Sequence, residues 1–285
     1  MSHIHDDKLK KLELVANEIR KDIISMIAEA GSGHPAGSLG MADVFAALYF
    51  DVLRHDPKNP DWPDRDRLVL SNGHICPARY AAMAEAGYFD KQELQTLRRL
   101  GSRLQGHPER DRLPGLETTS GPLGAGLAQA AGLALAARMD GRKWRTYCLV
   151  SDAEHDAGLH WEAVLFAGAR KLANLTCVID RNNIQLDGPT EEIMPLEPLK
   201  DKYLAFGWHV LEVNGHDIAA VIAALNEAAS VTGRPTVIIA HTIPGRGVSF
   251  MENDYRWHGQ PPKPEQAAQA LAELDALAAK IAQEH

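Results

Sequence analysis

The chain has 285 residues, 45% of them apolar, enough to bury a substantial core as one large domain or two small ones. Its formal net charge of −8 argues against broad nucleic-acid or anionic-membrane binding, so any anionic ligand must be held by local devices. Cys76, Cys148 and Cys177 have no paired spacing, the N-terminus lacks an apolar signal core, and no run approaches transmembrane length; a cytoplasmic protein with packed thiols is expected.

In chain order, Leu12, Val15, Ile19, Ile23, Met26 and Ile27 recur at helical spacing, and the helix should stop at Gly31. A second helix is expected from Met41 to Leu53, then a Pro-rich connection and a short strand, RLVLS, ending at Ser71-Asn72-Gly73-His74. Helices are expected near 77–87 and 91–100, irregular chain over 101–123, and an Ala-rich helix from about Gly124 to Met139. Strand-like runs at 145–150, 175–180, 208–213 and 235–240 then alternate with helical patterns at about 160–172, 196–206 and 217–229. This alternation predicts an α/β fold: a doubly wound, mainly parallel sheet flanked by helices. The domain is drawn as 1–263, with Pro264–His285 as a C-terminal helix.

Ligands of such sheets bind beyond the carboxyl ends of the strands, where SNGH (71–74), SDAEH (151–155) and DRNN (180–183) stand. Asp152 and Asn182 end consecutive strands, which a right-handed crossover makes neighbours. A carboxylate and a carboxamide oxygen suit a hard cation such as Mg2+, shared with a diphosphate at the N-terminus of the helix starting near His160. The competing reading is that Asp152 caps that helix and Asn182 makes a turn. GPLGAGLAQAAG contains Gly-x-Gly, but it follows an irregular stretch rather than a strand, against a dinucleotide site. EHDAGLH could suggest zinc, yet its histidines are not in HExxH spacing.

Six blocks in one order, GSGHPAGSLG (31–40), LVLSNGH (68–74), LGSRLQGHPE (100–109), TTSGPLGAG (118–126), LDGPT (186–190) and WHG (257–259), with SDA and DRNNI, resemble the thiamine-diphosphate domain of transketolases, specifically the N-terminal subunit of the split form. The resemblance implies thiamine diphosphate and Mg2+, with Ca2+ or Mn2+ as substitutes. Asp152 and Asn182 would bind the metal through side chains and Ile184 through its carbonyl. His74, Gly121, Pro122, Leu123, Ala153, Glu162, Leu186 and His258 would join Asp152, Asn182 and Ile184 at the cofactor. His34, His74, His107 and His258 would be catalytic, since imidazoles both remove and return protons near neutrality. His155, His160, His209 and His216, outside the blocks, read as packed or solvated rings.

The resemblance also implies a ketose donor and aldose acceptor, sugars or sugar phosphates, and a separate C-terminal transketolase subunit carrying the pyrimidine-binding and C-terminal domains, in an α2β2 heterotetramer. No nucleic acid or membrane partner is expected. The alternatives are a non-catalytic or regulatory subunit that stabilises a partner, and a pyruvate-using 1-deoxy-ketose synthase-like enzyme. Three departures bear on this. Ser151 and Ala153 replace glycines beside the aspartate, and Ala153 at positive φ would be strained by about 1 kcal/mol. Ala157 replaces a glutamate that in relatives belongs to an acidic set linking the two thiamine sites; Asp156 or Glu154 could replace it.

Overall fold

The computed structural model describes residues 5–284; the first four residues and His285, the expected end of the terminal helix, lie outside them. Helix α1 (Asp6–Ala30) opens with two acidic residues that complement its dipole and ends at Gly31, in the left-handed conformation with φ 59°. Leu12, Ala16, Ile19, Ile23 and Ile27 form its buried stripe. The expected helix from Met41 is broken: α2 (Pro35–Gly40), α3 (Ala42–Ala47) and a widened turn over Leu48–Val52 follow one another.

Strand β1 (Arg67–Leu70) leads into α4 (Cys76–Glu85). The helix expected near 91–100 is only a 3-10 segment, Lys91–Thr96. Asp90 caps it through Gln92 N–H, and Arg98 turns left-handed at φ 61°, which ends any helical run. Helix α5 (Gly126–Met139), β2 (Thr146–Ser151), α6 (Gly158–Ala169) and β3 (Leu175–Arg181) come next. A small hairpin of β4 (Ile184–Gln185) and β5 (Gly188–Pro189) precedes α7 (Thr190–Ile193) and α8 (Leu199–Ala205). Strand β6 (His209–Asn214), α9 (Ile218–Ser230), β7 (Thr236–His241) and α10 (Pro264–Glu284) complete the chain.

The main sheet is parallel throughout, in the order β1-β2-β3-β7-β6. Its central strands are buried on both faces, as a covered parallel sheet requires. Leu70, Leu149, Val178 and Ile238 face one core with α1, α3, α4, α9 and α10; Val69, Cys148, Cys177 and Ile239 face the other with α5, α6 and α8. All three cysteines are buried and free. Helix α10 packs into the first core through Ala267, Ala270 and Leu274, and Asn17 Nδ2 donates to the Leu274 carbonyl at 2.9 Å. No helix among the described residues is long and apolar enough to cross a membrane.

Candidate functional site

Because the strands are parallel, the ends of β1, β2 and β3 share one edge of the sheet; Ser151 pairs with Asp180, so Asp152 and Asn182 leave it side by side. Asp152 is fully buried. Its Oδ1 accepts from Ala153 N–H (2.7 Å); its Oδ2 accepts from Asn183 N–H (2.7 Å) and Arg181 Nη1 (3.2 Å). Asn183 aims that N–H by taking a left-handed φ of 62°. Burial raises the Asp152 carboxyl to about 6, against the Arg181 charge and the two N–H groups. Arg181 is shared with Glu191 (2.7 Å) and Glu197 (2.9 Å), so it only partly offsets the buried charge. Asn182 Nδ2 donates to Asp180 Oδ2 (2.8 Å), and its Oδ1 accepts from Ile184 N–H (3.0 Å). Burial, with the Asp152 charge adding to it, raises Asp180 to about 7.

The local alternative holds in part: Asp152 caps not α6, whose N-cap is Ala157, but the 3-10 turn Ala153–Asp156, and Asn182 closes a turn. Asp152 Oδ1 and Asn182 Oδ1 each accept one of these bonds and keep a further lone pair. Asp152, Asn182 and the Ile184 carbonyl would offer a hard divalent cation only oxygen donors, the type such an ion prefers. Among the described residues no three His, Cys, Asp or Glu side chains converge on a metal, so a cation here would draw further oxygens from its ligand. Gly37 packs beside this edge: a Cβ there would crowd Ile75 Cγ2 at 3.0 Å and lie 3.7 Å from Asp180 Oδ2 and 3.9 Å from Asn182 Nδ2.

The four histidines, distant in sequence, come together. His34 lies 5.2 Å from His74, 5.5 Å from His258 and 6.4 Å from His107 between ring centroids, and His74 lies 5.2 Å from His258. Burial, reinforced by His258, Arg98 and His107, lowers His34 to about 4. His74, His107 and His258 are also lowered, chiefly by burial, so the wall is neutral at physiological pH. The 118–126 loop reaches this cluster: a Cβ on Gly73 would lie 2.5 Å from Ser120 Cβ and 3.3 Å from His107. Leu186 reaches it as well, since a Cβ on Gly259 would meet both His34 and Leu186. Pro122, Leu123 and Leu186 are exposed and Gly121 half-buried, so the chain leaves this rim uncovered.

Several expectations need correction. Ala153 is not left-handed, and the strain considered for it does not arise. Helix α6 begins two residues before His160. Glu162 lies on the outward face of α6 with Leu159, Leu165 and Phe166, so a route from it to a cofactor would run through an assembly. Glu154 is buried and bonded to Ser71, Gly124 and Ser151, which leaves only the exposed Asp156 to replace the glutamate missing at Ala157. His155 and His160 are packed, as expected, and share the Tyr203 hydroxyl at 2.9 and 2.7 Å. His216 pairs with Asp43 (2.8 Å), and His209 with Glu227 (3.0 Å). Sequence reasoning gave no role to Asp180 or Arg181 and read Glu154 only as a stand-in for the glutamate missing at 157; the polar residues that close β3 and follow β2 were the only signal.

Residues 12–277 match the family model for the transketolase thiamine diphosphate binding domain. The 6-deoxy-6-sulfo-D-fructose transketolase subunit SqwG of Clostridium sp. (strain MSTE9) is 45% identical, over 93% of this chain and 96% of its own. An apulose-4-phosphate transketolase subunit of Phocaeicola vulgatus is 38% identical, over 98% and 99%. A solved transketolase from Pichia stipitis, a single-residue mutant, superposes with a TM-score of 0.88 at 33% identity, covering 95% of this chain and 43% of that one. This chain thus spans less than half of the solved transketolases it matches, but nearly all of the relatives named as subunits. With its parallel sheet, its histidine cluster and these matches, the chain belongs to the transketolase family, as a thiamine diphosphate binding domain.

Proposed function

We propose that this chain is the diphosphate-binding subunit of a two-chain transketolase, moving a two-carbon ketol unit from a ketose to an aldose acceptor. The observation that carries the reading is the convergence of His34, His74, His107 and His258 at the sheet edge where Asp152 and Asn182 stand side by side. Asp152, Asn182 and the Ile184 carbonyl hold Mg2+, for which Ca2+ or Mn2+ can substitute. Gly121, Pro122, Leu123, Ala153, Leu186, His74 and His258 hold thiamine diphosphate. When bound, that cofactor supplies the nucleophilic carbon and the electron sink. The histidines do the rest: an imidazole kept neutral by burial takes the proton from the donor's hydroxyl and returns one to the acceptor's carbonyl oxygen.

A partner subunit supplies the pyrimidine-binding and C-terminal domains, in an α2β2 assembly. The outward face of α6 supports this. Leu165 and Phe166 are 55% and 37% exposed on a helix whose outward face is apolar apart from Glu162, which suits a covered element. The adjoining cleft of about 490 Å³, lined by Trp161, Met194, Leu196 and Phe206, continues that apolar surface. Relatives are named for 6-deoxy-6-sulfo-D-fructose and apulose 4-phosphate. These two, together with common ketose phosphates, make the first donor set.

The test is to mix this chain with its partner subunit, titrate thiamine diphosphate and Mg2+ calorimetrically, and screen donors and acceptors. Saturable binding and ketol transfer only from the mixture are expected. Transfer by this chain alone overturns the two-chain reading; assembly without cofactor binding favours a non-catalytic subunit; pyruvate consumption with an aldehyde favours the synthase.

A further inference from the structure

The 121–126 segment, Gly-Pro-Leu-Gly-Ala-Gly, has almost no side chain with which to anchor itself, and its one large residue, Leu123, is exposed. What fixes it is a carboxylate from another loop. Glu154 is 2% exposed. Its Oε1 accepts from Gly124 N–H (3.2 Å) and from the Ser71 hydroxyl; its Oε2 accepts from Ser151 N–H (2.9 Å) and the Ser151 hydroxyl (3.2 Å). Ser71 extends the network, its Oγ accepting from Gly126 N–H at 3.1 Å. One buried carboxylate thereby ties together the end of β1, the 121–126 segment and the end of β2. Close packing accompanies these bonds: a Cβ on Gly124 would lie 2.6 Å from Ala157 Cβ, and one on Gly126 would lie 2.4 Å from Ser71 Cβ. Ser151 stands where the resemblance expects glycine, and its hydroxyl supplies one of the four bonds.

We propose that Glu154 is a positioning residue: it clamps the 121–126 segment to the Ser151-Asp152 edge, so that the loop facing the cofactor and the loop facing the metal are held in fixed register, with Ser151 as its matched partner. This rests on the reading of thiamine diphosphate binding above. A buried carboxylate bonded to four donors resists small displacements more than neutral pairs do, because losing one donor leaves charge unpaired in a dry site.

The test uses Glu154→Gln, Ser71→Ala, Ser151→Ala and the double variant E154Q/S151A. The Gln amide keeps acceptors only for Ser71 and Gly124 and turns an N–H2 toward the Ser151 N–H. Amide hydrogen exchange over 120–126 in the isolated chain should rise about tenfold or more in E154Q, the scale of one lost charge-assisted bond. Thiamine diphosphate affinity of the mixed subunits at saturating Mg2+ should fall by a similar factor. S71A should move both readouts the same way, and S151A should cost less in the E154Q background than in the wild type. If E154Q and S71A lower the melting temperature while exchange over 120–126 and affinity match the wild type, Glu154 is only structural and the proposal is overturned. If the wild-type mixture binds no thiamine diphosphate, the functional reading fails instead, and exchange in the isolated chain still decides the clamp.

Discussion

Tyr203→Phe removes one oxygen on which two buried histidines depend. His155 Nδ1 faces two carbonyls, Ser151 O at 3.0 Å and Asp152 O at 2.8 Å, so it carries the proton. In the neutral ring Nε2 is then a lone pair, and it accepts the Tyr203 O–H at 2.9 Å. The Tyr203 oxygen in turn accepts from His160 Nε2–H at 2.7 Å, which leaves His160 Nδ1 as the bare nitrogen, the atom that is buried without a partner. Burial lowers both rings, His155 to about 4, so the neutral chain holds at pH 7. The substitution strands one lone pair and one N–H where water does not reach. At about 1–3 kcal/mol per orphaned group, the loss is about 2–6 kcal/mol. Urea unfolding of the isolated chain at pH 7.5 should show this as a lower midpoint with an unchanged slope. A change under about 0.5 kcal/mol, the size of an ordinary surface substitution, would refute the tautomer assignment.

Four further outcomes are expected. The His34 ring resonance, followed by NMR in the isolated chain, should titrate below pH 5: burial disfavours the imidazolium, so the stability from its neutral form is present above about 6.5 and lost as pH falls toward 4, and a midpoint near 6.5 would contradict the packing. Gly168→Ala should destabilise by about 1–3 kcal/mol or more in thermal unfolding, since its Cβ would fall 2.0 Å from the Phe206 carbonyl oxygen, backbone that cannot move aside; a neutral result would refute that contact. Leu165→Asp should leave the isolated chain's melting unchanged yet abolish co-elution with the partner subunit, whereas normal assembly would place the interface elsewhere. Asp156→Asn should weaken coupling between the two thiamine sites of the assembled enzyme in a cofactor titration, with Ala157→Glu restoring it; unaltered coupling in D156N would remove Asp156 as the substitute for the missing glutamate.

The sheet was legible because β2, β3 and β7 are short apolar runs closed by polar residues, and a strand buried on both faces needs no further pattern. Helix α1 was legible from its 3–4 spacing and Gly31. The helix expected near 91–100 was not, because its apolar spacing is helical while the left-handed turn at Arg98, bonded through its guanidinium to Ser32 Oγ (2.8 Å), is a tertiary demand. The histidines at 34, 74, 107 and 258 share no periodicity; only the motif blocks joined them, and Gly73, where a Cβ would lie 2.5 Å from Ser120 Cβ, shows one reason those blocks carry glycine. Arg181 and Glu154 stayed hidden because their partners come from other loops: Arg181 from Glu191 and Glu197, Glu154 from Ser71 and Gly124.

The departures around Asp152 form a consistent local set rather than independent losses. A 3-10 turn over Ala153–Asp156 keeps Ala153 at ordinary dihedrals, and the same turn swings Glu154 inward. Once Glu154 is inside, four donors are needed to hold its charge, and a glycine at 151 would supply only its N–H. Serine supplies the hydroxyl as well. At 157 the Cβ already lies against Gly124, so Ala157 fills the contact that the 121–126 segment requires, and the nearest exposed carboxylate is Asp156, one residue earlier. Restoring Ser151 alone to glycine would therefore not recreate the commoner site; it would leave Glu154 short of a donor.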